Sequence, residues 1–488
     1  MIPVAALALT GCFSQGRRKE NSKTGFVKVD NMTMVCSDLD SSYAPSKGAV
    51  KMLVVPIAFV GDTKDVDNPQ DYYENWTSSK LTNLDSLYFG KENSLKAYYA
   101  NASFRGIDIT GKVASVYENS TISTKTILED DSMEKLFDLI EDAVTYIQEN
   151  DQSINWAEYD LNRDGCIDNI HLVTNYKSDT WNDVLWPHMY QTGRTGTLDN
   201  PMANVYSISC IDQISNASTA IHEQGHIFGL DDYYDYSDNA GTGIDYVGYL
   251  DMQSGTCFDW NSFSKLSMGW VKPYVVNGEA EVTTINIKAA SLNGDCILIP
   301  ADYSTWNGSA FDEYFLLELF APYGNNREDW QYFNLGSRPG IRLYHVDARI
   351  YGGNVLSDDK LVVTNMEQQQ INSKEDIANW NYISKGCNNS SDWTAYPTGI
   401  EQLADHPLLS LIQKGGRFTF SEEGGRSTLN AGDLFRVNDE FTFEKYSIFL
   451  NKDAEEQELT DKGEVFPYSI TIDYIDEDDA TVTFTKVK

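Results

Sequence analysis

The sequence predicts an α+β protein, with a mixed α/β domain over residues 46–275 and a β-rich, sandwich-like region over residues 276–488. Three observations carry this reading. In the first half, apolar runs of strand length alternate with segments whose apolar residues recur at helical spacing. That half ends in a histidine-bearing helix broken by a glycine. Beyond Pro273 the texture changes to short alternating segments separated by Gly, Asn and Asp clusters.

The elements follow in order. Met52 to Val60 is a continuous apolar run, as expected of a buried strand. Asp131 to Asn150 carries Met133, Leu136, Phe137, Ile140, Val144 and Ile147 at helical spacing, with Ser132 as the expected N-cap. Ile167 to Val173 reads as a second strand. Residues 218–229 read as the histidine-bearing helix, and Phe263–Met268 as a short helix. In the second half, Thr284–Ile287, Arg417–Phe420, Ser469–Tyr474 and Thr481–Thr485 alternate as half-buried strands do. Asp476–Asp479 reads as the turn joining the last two. No internal repeat is evident.

Composition narrows the function. At 488 residues with 41% apolar content, the chain is long enough for two or three domains with sizeable cores. Its net charge of −36 is spread along the chain. Such a field argues against binding nucleic acid or anionic membrane surfaces through charge. It suits solubility outside the cell, calcium binding and cationic protein or peptide substrates. A monomer is expected. No run reaches the roughly 20 apolar residues of a membrane helix. Residues 1–12 form a short apolar stretch ending in Leu9-Thr-Gly-Cys12, which resembles a bacterial lipobox. That resemblance implies a lipid anchor on Cys12, the only membrane attachment expected, and a polar tether over 13–45. Of the other six cysteines, Cys210 and Cys257 flank the histidine helix; a disulfide and two buried thiols are equal alternatives.

The chemistry concentrates in His222-Glu-Gln-Gly-His226-Ile-Phe-Gly229-Leu-Asp-Asp232, the pattern HExxHxxGxxD. Residues four apart share a helix face, so His222 and His226 can hold one metal ion. Gly229 can take a left-handed backbone and end the helix, returning the chain so that Asp232 supplies a third ligand. Three protein ligands and one open position suit a catalytic zinc. Glu223 reaches a water at that position and is the expected general base. The bland alternative is two buried histidines on an amphipathic helix. Met252 lies 20 residues past Asp232 and precedes Gly255. It reads either as a turn beneath the metal or as one of many core methionines. Asp160, Asn162, Asp164 and Asp168 stand at positions 1, 3, 5 and 9 of an EF-hand-like loop, with Gly165 at position 6. They are expected to hold a structural calcium, although His171 replaces the closing glutamate; a metal-free Asx turn is the alternative. His188, after Trp186-Pro187, either lines the cleft or is structural.

These residues, with Asp232-Tyr-Tyr-Asp235, resemble the immune inhibitor A family of secreted zinc metalloproteases. Further matching segments are Ser94–Gly106, Ile109–Val113, Trp186-Pro-His188, Lys265–Trp270 and Gly340–Asp347, so the resemblance runs over about residues 50–488, most strongly 50–275. Asp231 departs from the family's usual proline and sets two carboxylates side by side; Asp232 keeps the expected spacing. The resemblance implies a metzincin-like, extracytoplasmic, secreted or lipid-anchored metalloendopeptidase. Peptide bonds would be hydrolysed by a water activated by Glu223. A nearby tyrosine (Tyr233, Tyr234, Tyr236, Tyr246 or Tyr249) would help hold the oxyanion, and Met252 would form the Met-turn. Two other classes stand beside it: a zinc hydrolase of non-peptide amides or esters, and a non-catalytic adhesion or glycan-binding protein.

Overall fold

The computed structural model describes residues 16–60, 72–130, 132–177, 184–212, 214–234, 245–336, 338–355, 361–362, 370–380, 382–385, 388, 407–420, 428–446, 460–462 and 464–487. The lipobox with Cys12, the start of the expected tether at 13–15, Asp131, Asp235, Tyr236 and Cys387 lie outside the described residues.

The chain is mixed α and β. Its N-terminal half centres on a sheet in the order Ile107–Val113, Gly48–Phe59, Ile170–Thr174, Val205–Cys210, His188–Gln191. The first four run parallel and the edge strand His188–Gln191 is antiparallel. The apolar run predicted at 52–60 is the strand Gly48–Phe59, buried on both faces as parallel strands usually are. Leu53, Val55, Ile57 and Phe59 point to one face, into a core with Leu136, Phe137, Ile140, Val144 and Ile147. Val50, Met52 and Val54 point to the other, where Ala217, Ala220 and Ile221 of the histidine helix pack. The period of two thus gives one strand two helical layers to cover.

The amphipathic helix runs Glu134–Asn150. Its N-cap is Met133 in a left-handed conformation, not the expected Ser132. Asp130 takes over the capping: its carboxylate accepts from Lys135 N at 2.7 Å and from the Ser132 hydroxyl at 2.6 Å. A carboxylate that reaches the first turn from outside competes well with a hydroxyl within it.

The second half is sandwich-like. One sheet runs Phe26–Lys28, Tyr274–Val276, Ile297–Ile299, Glu313–Phe320, Gly340–Asp347, Leu409–Leu411; another runs Glu440–Phe441, Tyr468–Ile475, Asp479–Lys486, Val282–Lys288. Phe315, Leu317 and Leu319 meet Ile470, Ile472, Val482 and Phe484 between these sheets. Tyr314, Leu316 and Phe320 face the other way, onto Tyr233, Leu250, Phe258 and Phe263 of the first half. The first sheet is therefore buried on both sides, and one core crosses the boundary expected at 275/276. Arg417–Phe420, expected as a strand, forms none; the Thr419 N–H and the Gln413 side chain bond each other instead of a ladder.

Residues 16–45, expected as a tether, lie on the body. Phe26–Lys28 adds to the sandwich sheet beside Tyr274–Val276, and Ser22 N bonds Thr284 O. Further on, Ala44 N bonds Ile227 O at 3.0 Å, and the Ser46 carbonyl accepts from Trp270 Nε1 at 2.6 Å. Polar composition concealed backbone pairing, which carries no side-chain signature. None of the five described cysteines is in a disulfide; Cys210 donates to Leu185 O and Cys257 to Tyr249 O.

Candidate metal centre

The histidine helix spans Ser218–Ile227, and Gly229 follows at φ +93°. That left-handed residue returns the chain: Leu230 N bonds Gly225 O, and a Cβ at Gly229 would sit 2.6 Å from the Tyr43 ring. Only glycine meets both demands. Two residues after Leu230, the Asp232 carboxylate comes back over the helix. Its Oδ1 lies 3.0 Å from His222 Nε2 and 3.4 Å from His226 Nε2, and the two ring nitrogens are 3.2 Å apart.

This triangle fits a metal. Zinc–ligand distances near 2.0–2.1 Å in a tetrahedron give edges of about 3.3 Å. Both imidazoles are oriented from behind: His222 Nδ1 meets the Met252 carbonyl at 2.7 Å and His226 Nδ1 meets the Leu230 carbonyl at 2.8 Å. With Nδ1–H donated to a carbonyl, each Nε2 presents its lone pair to the shared point. Glu223 is 5% exposed, and its Oε2 has no hydrogen-bond partner among the described residues. Burial raises its pKa above the usual carboxylate range, against the pull of both imidazoles. Burial opposes charge on His226, yet Asp232 and Glu223 push its imidazole up to about 10. His222 is raised in the same way, and the imidazoles overcome burial to hold Asp232 well below the usual range. The carboxylates thus favour cationic imidazoles, and a divalent cation binding there would displace protons.

Met252 opens a short buried helix, Met252–Gly255, and touches the site through its carbonyl. The turn that aims this carbonyl is tightly held. Asp251 accepts from Gln253 N, Asn261 N and Asn261 Nδ2, and Arg342 of the sandwich donates to Leu250 O while paired with buried Glu318. Tyr249 and Phe258, on either side, have φ of +68° and +63°. Such outliers persist only where surroundings over-determine them. Sequence patterning misses Arg342 and Glu318 because they lie roughly 90 and 70 residues from the turn. A charge between two aliphatic residues on each of two strands, Glu318 and Arg342, was the available signal.

Asp231 takes no part in the triangle; with Cys36, Tyr233, Phe263 and Phe311 it lines a separate small pocket. His188 also stands apart, its Nδ1 on Trp186 O and its Nε2 3.4 Å from the Tyr206 hydroxyl. Among the tyrosines, the Tyr233 hydroxyl is engaged by Ser264 at 2.7 Å, and Tyr246 stacks on Phe418. Tyr234 hydrogen-bonds the Asp232 carboxylate itself; burial, reinforced by Asp232, raises its pKa.

In the loop predicted for calcium, Gly165 takes φ +83° at the sharp turn. Asp160 accepts from Asp164 N and Gly165 N, and Asn162 Nδ2 donates to Asp164. Asp168 accepts from Leu161 N at 2.7 Å, and burial together with Asp160 and Asp164 pushes its carboxyl up to about 6. These carboxylates are turned onto the loop's own backbone. Among the described residues, groups of three His, Cys, Asp or Glu donors within 4.8 Å of one another occur at His222–His226–Asp232 and at Glu313–His345–Asp461, not in this loop.

No helix among the described residues is long and apolar enough to cross a membrane. No protein-family model matches this sequence, and no curated protein matches it.

Proposed function

We propose that this chain is a zinc-dependent metalloendopeptidase with a metzincin-like N-terminal half, acting outside the cytoplasm. The observation that carries the reading is the triangle of His222 Nε2, His226 Nε2 and Asp232 Oδ1 beside the buried carboxylate of Glu223. Bound to these three ligands, zinc would polarise a scissile carbonyl and acidify a water. Glu223 takes the proton from the attacking water and passes it to the leaving amine. Its elevated pKa suits a group that must both accept and release a proton. The carbonyls of Met252 and Leu230 hold the imidazoles in the required tautomer. Tyr234 steadies Asp232 and is the candidate for stabilising charge on the substrate oxygen.

Calcium is proposed on the loop 160–168, supported by three carboxylates crowded around a left-handed glycine. Its carboxylates would have to turn from backbone donors to the ion, so the role is structural clamping. The net charge of −36 favours substrates with cationic segments.

Unfolded casein is the test substrate. Cleavage that a chelator abolishes and zinc restores supports the reading. A chelator-sensitive activity on small esters or amides with casein untouched favours the non-peptide hydrolase. Zinc bound at full occupancy with no hydrolysis of either favours a binding protein.

A further inference from the structure

A second group of donors lies far from the histidine helix, inside the sandwich. Glu313 opens one strand and His345 stands near the end of its antiparallel neighbour, where Glu313 pairs with Asp347 and Phe315 with His345. Asp461 comes from the segment leading into the strand Tyr468–Ile475. Three separated stretches of chain thus deliver one imidazole and two carboxylates to one point, with all ligand atoms within 4.8 Å of one another. His345 Nε2 is 2.8 Å from Glu313 Oε1 and 4.0 Å from Asp461 Oδ2. The side chains of His345, Glu313 and Asp461 are 2%, 3% and 1% exposed. Asp461 is open to solvent only through its backbone.

The surrounding charges sharpen the point. Lys462 lies on Asp312 at 3.0 Å, and Arg349 pairs with Asp347 at 2.6 Å. Glu313 and Asp461 both face His345, so two carboxylates converge on one imidazole in a dry interior. Buried charge of one sign is costly unless matched. Glu313 is oriented by the N–H groups of Asp461 and Lys462 at 2.8 and 2.7 Å, which ties the incoming segment to the sheet.

We propose that Glu313, His345 and Asp461 form a second, structural site for a first-row divalent cation, zinc being the probe. One nitrogen and two oxygens suit such an ion better than calcium, which takes six or more oxygens. Three donors leave a fourth position, but all three side chains are buried, which keeps a substrate from it and makes the role structural. The ion would staple the chain's last two strands to the sandwich sheet that packs on the catalytic half.

The test counts metal in the full chain, stripped with chelator, reloaded with zinc and desalted. Wild type should hold two equivalents, His222→Ala one, Asp461→Asn one, and the double variant none. The His222→Ala protein should lose thermal stability on chelation and regain it with zinc, while the double variant should not respond. Equal zinc in wild type and Asp461→Asn would overturn the proposal. So would His222→Ala protein without zinc, a result that needs no substitution in the sandwich and stands even if Asp461→Asn fails to fold. The retained equivalent in His222→Ala is independent of peptidase activity, so failure of the catalytic reading leaves it interpretable.

Discussion

Replacing Glu223 by glutamine separates catalysis from construction at this site. The side chain keeps its volume, and Oε2 has no hydrogen-bond partner among the described residues, so the protein loses no contact that the amide cannot replace. The exchange keeps the volume and removes a buried ionisable group, so stability should stay near wild type. The carboxylate it removes has a pKa raised in the native protein by burial and, to a smaller extent, by Asp232. The metal ligands His222, His226 and Asp232 are untouched, so zinc content should stay at the wild-type level. What is lost is the proton acceptor. Removing a general base lowers the rate by at least about a hundredfold, or about 2.7 kcal/mol in the barrier. The assay is initial-rate cleavage of a fluorogenic casein, with zinc by emission spectroscopy and melting by circular dichroism on the same preparations. The wild-type rate should also fall on acidification as Glu223 is protonated, and the variant's residual rate should lack that limb. Near-normal proteolysis by Glu223→Gln would refute the mechanism. Loss of zinc along with activity would show that Glu223 helps hold the ion.

His222→Ala should lose the catalytic zinc and hydrolysis together, because a ligand and its Met252 anchor disappear at once; metal analysis and the casein assay check this. Gly229→Ala places a Cβ 2.6 Å from the Tyr43 ring at φ +93°, and strain plus overpacking should cost about 2–4 kcal/mol, read by denaturant melting, with weakened zinc retention. Asp168 has a native pKa of about 6, above its unfolded value, so its contribution is fully present below about pH 4 and lost as pH rises through about 6. Without calcium, stability should therefore decline across that window, and Asp168→Asn should flatten the slope. Calcium should raise the melting temperature more at pH 7 than at pH 4.5; equal shifts would sink the calcium assignment.

The sequence by itself pointed to a mixed α and β chain, to several of its strands and helices, and to the convergence of His222, His226 and Asp232. These are local properties. A period of two or 3.6 residues reports which face is buried, and a helix followed by glycine constrains where the next few residues go. The tertiary structure decided the rest. Residues 16–45 join the body through backbone hydrogen bonds, which polar composition does not reveal. The Met252 carbonyl is aimed at His222 by Asp251, Asn261 and the Arg342–Glu318 pair, drawn from segments far apart in the chain. Glu313, His345 and Asp461 meet because two antiparallel strands pair and a late segment hydrogen-bonds to Glu313, and no spacing along the chain encodes that meeting. Short-range geometry is written in the order of residues, whereas contacts between distant segments depend on how whole layers pack.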